Sequence, residues 1–342
     1  MRAWRQHALT MAGLAVSLAA IGWLMRHFDL GAVARTLAGA DAWVLAPLPL
    51  LLIASFALRT QRWRLVVEHQ PPVRWWPGFR ALMIGYLLNN LLPARAGDLA
   101  RALELGRTEQ MSRTKVFATL VVERTADLAF MLVLLSAVLL SYPAIPTWLK
   151  QAGVVVAAIT ATAIAVLTAA HTMGERFVPW LHARLLRRLP DRTAARAREI
   201  LQSALAGIAG GFRPGRFTGF LLLTIIIWTL EVALVWLTAR ALSLDLAPGN
   251  ALFVLLLIAI GTMVPASPGF VGTYEFFGVA ALGMLQVHGI QALAFVVLLH
   301  LVTLLGSSLI GALCLLARPA APSPRTIGAQ ETEPVHREED KP

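Results

Sequence analysis

The residues best suited by type and spacing to bind or react with a ligand are charged and amide side chains that lie beside apolar stretches of the chain. The first group is Asn89, Asn90, Arg95, Asp98, Arg101 and Glu104, followed by Glu123, Arg124 and Asp127. Charged groups inside a membrane are costly, and by default they mark a functional site. Arginine offers planar, bidentate geometry for a phosphate, and the carboxylates could position these arginines or meet a cationic headgroup. The alternative is a set of internal ion pairs that only fix helix packing.

Helical spacing predicts which members of this group share a face. On a helix beginning near Asp98, residues three apart place Arg101 and Glu104 on the same side as Asp98. Glu123 and Asp127 are four apart and also share a face. We therefore expect two charged helix faces close to one another in the chain.

A second group follows a proline- and glycine-rich break in the other half of the chain. It comprises Ser267, Gly269, Gly272, Thr273, Tyr274 and Glu275. Glycines allow close backbone approach, and free N–H groups at a helix start favour an anion, although small residues also serve tight helix packing.

Glu231 and His300 lie in apolar stretches, where protonatable groups can act as proton relays. For a lone histidine, packing is the more common role.

The elements that must position these residues are membrane-spanning helices. The 342 residues are 57% hydrophobic and 14% charged, with a mean hydropathy of +0.67, whereas soluble domains carry about 25% charged residues. The formal net charge of +11 suits basic cytoplasmic loops, and no basic stretch is interleaved with aromatics as nucleic-acid binding requires. With one cysteine, Cys314, there is neither a disulfide framework nor a cysteine metal cluster. We expect no metal or cofactor.

Apolar stretches of about 20 residues can span a bilayer. Full spans are predicted at Ala8–Met25, Ala42–Leu58, Leu128–Tyr142, Leu149–Ala170, Phe217–Ala239 and Ile290–Leu316. Two further stretches, Phe79–Leu92 and Ala251–Val264, run into proline-glycine breaks, whose backbone cannot face lipid. The prediction is an all-α integral membrane protein of about six spans plus two re-entrant helical hairpins, at residues 79–122 and 249–287.

The two breaks lie at corresponding places in the two halves, since Pro93 and Pro265 are 172 residues apart (265 − 93). Interrupted segments at matching positions point to a transporter built from repeats. With the N-terminus in the cytoplasm, the basic segment around residues 59–74 and the loop 171–216 face inward, and the loops 26–41 and 240–248 face outward, as the positive-inside rule requires. Three spans separate the hairpins, which predicts an inverted repeat.

The predicted domain organisation has one polytopic transmembrane domain over residues 1–317. Within it, residues 175–205 carry arginines at helical spacing, which predicts a cytoplasmic basic amphipathic segment lying on the inner membrane surface. Residues 318–342 are rich in Pro, Thr and Glu and are predicted to be a disordered cytoplasmic tail. Both termini are expected in the cytoplasm, and the membrane is expected to be the cytoplasmic (inner) membrane.

Three motifs in this order resemble the lysylphosphatidylglycerol synthase transmembrane (flippase-like) family. They are Asn89–Arg101 (NNLLPARAGDLAR), Val122–Asp127 (VERTAD) and Pro265–Glu275 (PASPGFVGTYE). The resemblance covers nearly all of residues 8–317 and implies a translocase that moves a modified lipid between leaflets, with two re-entrant hairpins. In fused members an aminoacyltransferase domain follows, and its synthetic activity is not expected here. Gly97-Asp98 stands where members often have Gly-Glu, and Phe270 where they often have a second glycine.

The function predicted from these observations is transbilayer translocation of a charged lipid by alternating access, not an enzymatic reaction. The lipid would be an anionic or aminoacylated phospholipid or a polyprenyl-phosphate lipid, and a synthase is a possible partner. One alternative is an accessory or catalytic membrane subunit of a lipid-linked glycosyl- or aminoacyl-transfer pathway. Another is a scaffold without transport, in which neutralising Glu123 or Arg124 changes only stability.

Overall fold

The computed structural model describes residues 29–67, 72–92, 96–141, 214–263 and 267–317, with isolated positions at 22, 26 and between 151 and 162. Its elements within those ranges are helical, as the sequence predicts. They are α1 Leu30–Ala38, α2 Ala42–Leu45, α3 Leu48–Val66, α4 Trp75–Leu91, α5 Ala96–Thr108, α6 Arg113–Ser141, α7 Pro214–Ala241, α8 Pro248–Gly261, α9 Thr273–Met284 and α10 Gly289–Leu316. A 3-10 turn, Pro268–Phe270, precedes α9.

Three described helical stretches are long and apolar enough to cross a membrane. They are Ala42–Val66, Gly215–Ala241 and Gly289–Leu316, with mean hydropathies of 1.8, 2.4 and 2.4, and they match three predicted spans. The predicted span Leu128–Tyr142 is the second half of α6, which begins 15 residues earlier in a charged region. The predicted spans Ala8–Met25 and Leu149–Ala170, the amphipathic segment and the tail lie outside the continuous described ranges. The total of six spans stays a prediction.

Both interrupted segments form pairs of short helices packed against each other, α4 with α5 and α8 with α9. The helices α5, α8 and α9 have 13, 14 and 12 residues, so each is about 20 Å long, shorter than the roughly 30 Å hydrocarbon core. The helix α4 ends at an extended Leu92, the conformation favoured before a proline. The paired helices therefore form helical hairpins. That each hairpin enters and leaves the membrane on the same side stays a prediction.

The first hairpin closes through a contact that only glycine permits. A Cβ added to Gly97 on α5 would lie 1.9 Å from the carbonyl oxygen of Gly85 on α4. No side chain can be accommodated against backbone at that distance, so α4 and α5 cross at van der Waals contact of their main chains. This crossing brings the charged face of α5 against the rest of the molecule.

The helices recur at the interval that separates the two breaks. Adding 172 to the bounds of α4, α5 and α6 gives 247–263, 268–280 and 285–313, which nearly coincide with α8, the 3-10 turn with α9, and α10. The packing recurs too: α3 contacts α4, α4 contacts α5, and α5 contacts α6, as α7 contacts α8, α8 contacts α9, and α9 contacts α10. The equivalent helices α3 and α7 pack directly on each other.

Two segments differ from the expected loops. The segment 26–41 contains α1, because the side chain of Asp29 accepts hydrogen bonds from the N–H groups of Gly31 and Ala32 and caps the helix. Arg59 and Arg62, assigned to a basic cytoplasmic loop, lie on the last two turns of α3 instead. No glycine or proline interrupts residues 50–66, and arginine is a good helix former.

Candidate functional site

The last turn of α4 lies against the second chain break at the centre of the candidate site. A Cβ on Gly269, in the second break, would lie 3.5 Å from the carbonyl oxygen of Asn90, in the last turn of α4. The Asn90 amide nitrogen donates to the hydroxyl oxygens of Ser307 and Ser308 on α10, each at 2.9 Å. The end of the first hairpin is thus attached to α10, beside the turn of the second.

A cavity of about 190 Å³ opens next to this contact. Its walls come from α3, α4, α7, the end of α8, the second break, the start of α9, and α10. The polar side chains that line it are Arg59, Tyr86, Asn90, Glu231, Thr262, Tyr274, His300, Thr303 and Ser307. Its apolar wall is formed by Leu52, Phe56, Phe270 and Leu304. A cavity with both kinds of lining suits a small polar group attached to an apolar chain.

An ion pair of opposite charges lies in the cavity wall. Arg59 Nη2 on α3 donates to Glu231 Oε1 on α7 at 3.0 Å, and the Ser55 hydroxyl donates to the same oxygen at 2.7 Å. Each charged side chain keeps 19% of its surface exposed. Because both stay accessible, the pair can offer a cation to a phosphate and an anion to an amine.

The second break carries a carboxylate–imidazole pair. His300 Nδ1 on α10 lies 2.5 Å from Glu275 Oε1 on α9, and His300 Nε2 lies 2.9 Å from the carbonyl oxygen of Gly269. Glu275 Oε2 accepts the N–H of Gly272 at 2.7 Å. The ring of Tyr274 stacks on the imidazole with centroids 4.0 Å apart. Glu275 is thus bonded to Gly272 and His300 to Gly269, so the pair holds both glycines of the turn.

A buried ion-pair network lies beside this cavity wall, about one turn further along α3. Arg62 is fully buried and contacts both oxygens of Asp127 on α6, at 2.5 and 2.8 Å, while Nη2 also donates to Glu123 Oε1 at 3.2 Å. The Thr224 hydroxyl on α7 accepts from Nη1 at 3.2 Å. A bidentate contact of this kind is among the strongest in proteins, and here it joins α3, α6 and α7.

Arg101 on α5 completes that network. Its Nη2 donates to Glu123 Oε2 at 2.9 Å, and its guanidinium lies 3.7 Å from the ring centroid of Trp63. Both carboxylate oxygens of Glu123 are therefore taken by arginines. The two positive charges of Arg62 and Arg101 are balanced by the two negative charges of Glu123 and Asp127, which favours a packing role for these four residues.

Arg124 and Asp98 form an ion pair that is more exposed than the buried network of Arg62, Arg101 and Glu123. Arg124 Nη2 donates to Asp98 Oδ1 at 3.1 Å, and the two side chains are 40% and 22% exposed. Asn89 donates to the same carboxylate oxygen at 3.3 Å, while its own amide oxygen accepts the N–H of Gly97 at 2.8 Å. This pair lines a narrow crevice together with Tyr86, and the crevice has no room for a water molecule.

Glu104 forms separate ion pairs further along α5. It accepts hydrogen bonds from Arg80, which is buried on α4, and from Arg107 at 3.2 Å. Arg80 Nε also donates to the Cys314 carbonyl oxygen at 2.9 Å. Glu104 is therefore not brought together with Asp98 and Arg101 in one polar cluster, although all three lie on α5.

The remaining predicted residues shape the second break. The hydroxyls of Ser267 and Thr273 donate to the carbonyl oxygens of Val271 and Phe270, both at 3.0 Å. Gly269 and Gly272 have φ of 67° and 94°, a region that side chains disfavour. Arg95 lies outside the described residues. In the part of the chain that the structure describes, no three His, Cys, Asp or Glu side chains are placed to hold a metal ion.

Sequence reasoning missed two arginines of this region. Arg59 and Arg62 were treated as loop charges, although each pairs with an acid that the sequence does single out, Glu231 and Asp127 respectively. Two features of the sequence could have identified them. The apolar helix continues through residues 59–62 without a glycine or proline, and the two arginines are three residues apart, which places them on one helix face. The pairing of His300 with Glu275 has no comparable signal, because these residues meet only in the folded chain.

The helices, the paired breaks and the buried charges define a polytopic α-helical membrane protein with a polar site between two broken helices. Residues 10–311 match the family described as the lysylphosphatidylglycerol synthase TM region, and the chain belongs to this family. The match confirms the resemblance drawn from the three motifs.

Two curated relatives are similar to this chain over parts of their length. One is named glycosyltransferase AglD, from Haloferax volcanii, and is 27% identical over 324 residues, which cover 85% of this chain and 51% of the relative. The other is a UPF0104 membrane protein from Methanothermobacter thermautotrophicus, 25% identical over 211 residues, which cover 58% of this chain and 62% of the relative. The chain thus spans between about half and three fifths of the relatives it matches.

Proposed function

We propose that this protein moves a charged lipid between the two leaflets of the membrane, with the lipid headgroup passing through the cavity between the hairpins. The observation that carries the proposal is the cavity itself, which lies where the end of α4 meets the second break and which contains the accessible Arg59–Glu231 pair. Broken helices whose ends face a polar cavity between repeats are typical of transporter sites. The mechanism is alternating access, in which one hairpin and then the other opens.

The lipid classes that fit are aminoacyl-phospholipids and polyprenyl-phosphate-linked lipids. A phosphate is met by Arg59 in the cavity, or by the partly exposed Arg124 outside it. A cationic headgroup is met by Glu231. Asn90, Tyr274 and the hydroxyls of α10 supply neutral hydrogen bonds for sugar or glycerol groups. The acyl chains stay in the bilayer, beside the apolar wall of the cavity.

We place the protein in the cytoplasmic membrane with both termini in the cytoplasm. The distribution of arginines supports this orientation, since the basic segments then fall on one side. In this arrangement the two hairpins enter from opposite faces and act as an inverted repeat. The protein itself catalyses no covalent step, and a separate synthase supplies the lipid.

Lipid exchange between leaflets of reconstituted vesicles tests the proposal. Vesicles carrying a fluorescent phosphatidylglycerol, lysyl-phosphatidylglycerol or polyprenyl phosphate in the inner leaflet are exposed to a membrane-impermeant quencher. We expect wild-type protein to accelerate quenching for one of these lipids. Hydrogen bonds to charged groups contribute about 1.5–3 kcal/mol, so Glu231→Gln and Arg59→Gln should slow exchange roughly ten- to hundredfold.

The matched control is Arg107→Gln, an arginine that is 57% exposed and remote from the cavity. It should exchange lipid at the wild-type rate. If folded wild-type protein accelerates none of the three lipids, or if the cavity variants and the control behave alike, the proposal fails.

A second candidate function is that of a membrane subunit in lipid-linked glycosyl transfer. It is favoured by the similarity to the protein named glycosyltransferase AglD. In this case the cavity would hold a lipid-phosphate acceptor for a catalytic partner. Binding of polyprenyl phosphate without exchange between leaflets, together with co-purification of a glycosyltransferase, would support this second function over translocation.

A further inference from the structure

The number of hydrogen atoms between Glu275 and His300 is fixed by their surroundings. A carbonyl oxygen only accepts hydrogen bonds, so His300 Nε2, at 2.9 Å from the Gly269 oxygen, carries a hydrogen. His300 Nδ1 and Glu275 Oε1 are 2.5 Å apart. Without a hydrogen between them, a ring lone pair would face a carboxylate oxygen, which is repulsive. The observed contact therefore requires one shared proton.

A second added proton also conflicts with this geometry. Glu275 Oε2 already accepts the N–H of Gly272 at 2.7 Å. A protonated Oε2 would accept that N–H less strongly than a carboxylate oxygen does, and protonating Oε1 as well as Nδ1 would set two donors against each other. The arrangement thus selects a single proton, shared by carboxylate and imidazole.

This proton holds the turn of the second hairpin to α10. The carbonyl of Gly269 and the N–H of Gly272 are the two backbone groups bonded by the pair, and Gly269, Phe270 and Gly272 all have positive φ. Positive φ at Phe270 is unfavourable and persists only when its surroundings enforce it. The pair supplies this restraint from both sides of the turn.

His300 lines the 190 Å³ cavity, which gives the shared proton a path out of the buried site. The titratable groups that face it across the cavity from neighbouring helices are Arg59 on α3, Tyr86 on α4 and Glu231 on α7, while Tyr274 on α9 stacks on the ring. Elsewhere on the described helices packed on α10, Asp29 and Arg35 at α1 pair with each other at the surface, and Arg80 on α4 pairs with Glu104 and bonds the Cys314 carbonyl oxygen. Arg59 and Glu231 neutralise each other.

We propose that Glu275 and His300 form a proton-binding site, and that loss of the bound proton releases the turn between α8 and α9 from α10. The turn is held at lower pH and released as the pH rises, since release requires deprotonation. If translocation occurs as proposed above, this site is where a proton would be coupled to movement of the second hairpin. The proton site itself does not depend on lipid transport.

Glu275→Gln and His300→Phe have opposite expected effects. A glutamine amide nitrogen at position 275 donates permanently to Nδ1, and its oxygen still accepts the Gly272 N–H, so Glu275→Gln imitates the protonated site. His300→Phe keeps a ring against Tyr274 but removes both ring nitrogens. The turn should therefore stay held at every pH in the first variant and stay released at every pH in the second.

The test measures labelling of Ser267→Cys in a Cys314→Ser background, with the full chain in lipid nanodiscs. Each maleimide rate is divided by that of Asp245→Cys, an exposed reference position, which cancels the pH dependence of the thiol itself. We expect the ratio to rise about tenfold with pH in wild type, a factor that corresponds to 1.4 kcal/mol. It should stay low in Glu275→Gln and high in His300→Phe.

A histidine control completes the test. Replacing His288, an exposed histidine at the start of α10, by Gln should leave the pH profile of the ratio unchanged. A ratio independent of pH in wild type, or equally fast labelling in Glu275→Gln and His300→Phe, would overturn the proposal. Because no lipid movement is measured, failure of this test is distinct from failure of translocation.

Discussion

Arg59 and Glu231 occupy equivalent positions in the two halves of the chain and bond to each other. They are 172 residues apart, the interval between Pro93 and Pro265, and Arg59 Nη2 lies 3.0 Å from Glu231 Oε1. In a molecule of two related halves, equivalent side chains can touch only near the axis that relates them. The pair, and the cavity it lines, therefore lie at the junction of the halves, where repeat-built transporters bind their substrates.

This equivalence predicts that the two charges can be exchanged. Arg59→Glu alone places two carboxylates side by side, and Glu231→Arg alone places two guanidinium groups together, so each should destabilise the protein. The double variant restores an opposite pair at the same junction. We expect a coupling energy of about 0.5–3 kcal/mol in a double-mutant cycle on the free energy of unfolding in detergent.

The same cycle on Asp29 and Arg35 is the control for the charge exchange. That pair is 3.7 Å apart, and both side chains are mostly exposed, so little coupling is expected there. Equal coupling in the two cycles, or no recovery in the double variant of Arg59 and Glu231, would contradict the assignment of this pair to the junction.

The crossing of α4 and α5 predicts a large effect of a single methyl group. In Gly97→Ala the new Cβ meets the Gly85 carbonyl oxygen at 1.9 Å, and backbone must move. Overpacking of this kind costs about 1–3 kcal/mol or more. In Gly283→Ala, on α9, no atom lies within 4 Å of the added Cβ, so stability should be unchanged or rise by about 0.4–1 kcal/mol. Thermal unfolding of the two purified variants compares them directly.

Much of the architecture could be predicted from the sequence, because apolar length and proline breaks act locally. The spans near Phe217–Ala239 and Ile290–Leu316 and both helical interruptions follow from such signals. The start of α6 at Arg113 could not be predicted from apolar length or proline breaks. Its first turns are charged, and hydropathy alone places the helix start at the later apolar stretch.

The pairing within the site was beyond sequence analysis for a different reason. Acids such as Glu123 and Asp127 stand out because charges are rare in apolar surroundings, but their partner Arg62 lies 61 and 65 positions away. Which arginine reaches which acid depends on how α3, α5 and α6 pack. Local spacing on one helix contains no information about that packing.

Removal of Arg62 should be strongly destabilising. In Arg62→Met, Asp127 loses its bidentate partner and Glu123 keeps only Arg101. Breaking a buried pair by removing one partner costs about 3–5 kcal/mol. The combined change of Arg62→Met with Asp127→Leu removes both members and should recover part of this loss. Denaturant unfolding in detergent measures both variants.

Arg107→Gln is the comparison for Arg62, since its side chain is largely exposed and pairs only at the surface with Glu104. Its effect should stay within about 0.5 kcal/mol. If Arg62→Met were as mild as Arg107→Gln, the buried network would not be a packing element, and Glu123 and Asp127 would be better explained as ligand-binding groups.

Cysteine labelling from outside the cell tests the orientation of the hairpins. The first hairpin is flanked by exposed Pro72 and Ser112, and the second by exposed Asp245 and His288. If both hairpins are re-entrant and enter from opposite faces, the two positions flanking each hairpin share a side. In a Cys314→Ser background, an impermeant maleimide should label Asp245→Cys and His288→Cys in intact cells, and Pro72→Cys and Ser112→Cys only after permeabilisation. Labelling of one flank but not the other of either hairpin would mean that its two helices together cross the membrane, and the inverted repeat would be wrong.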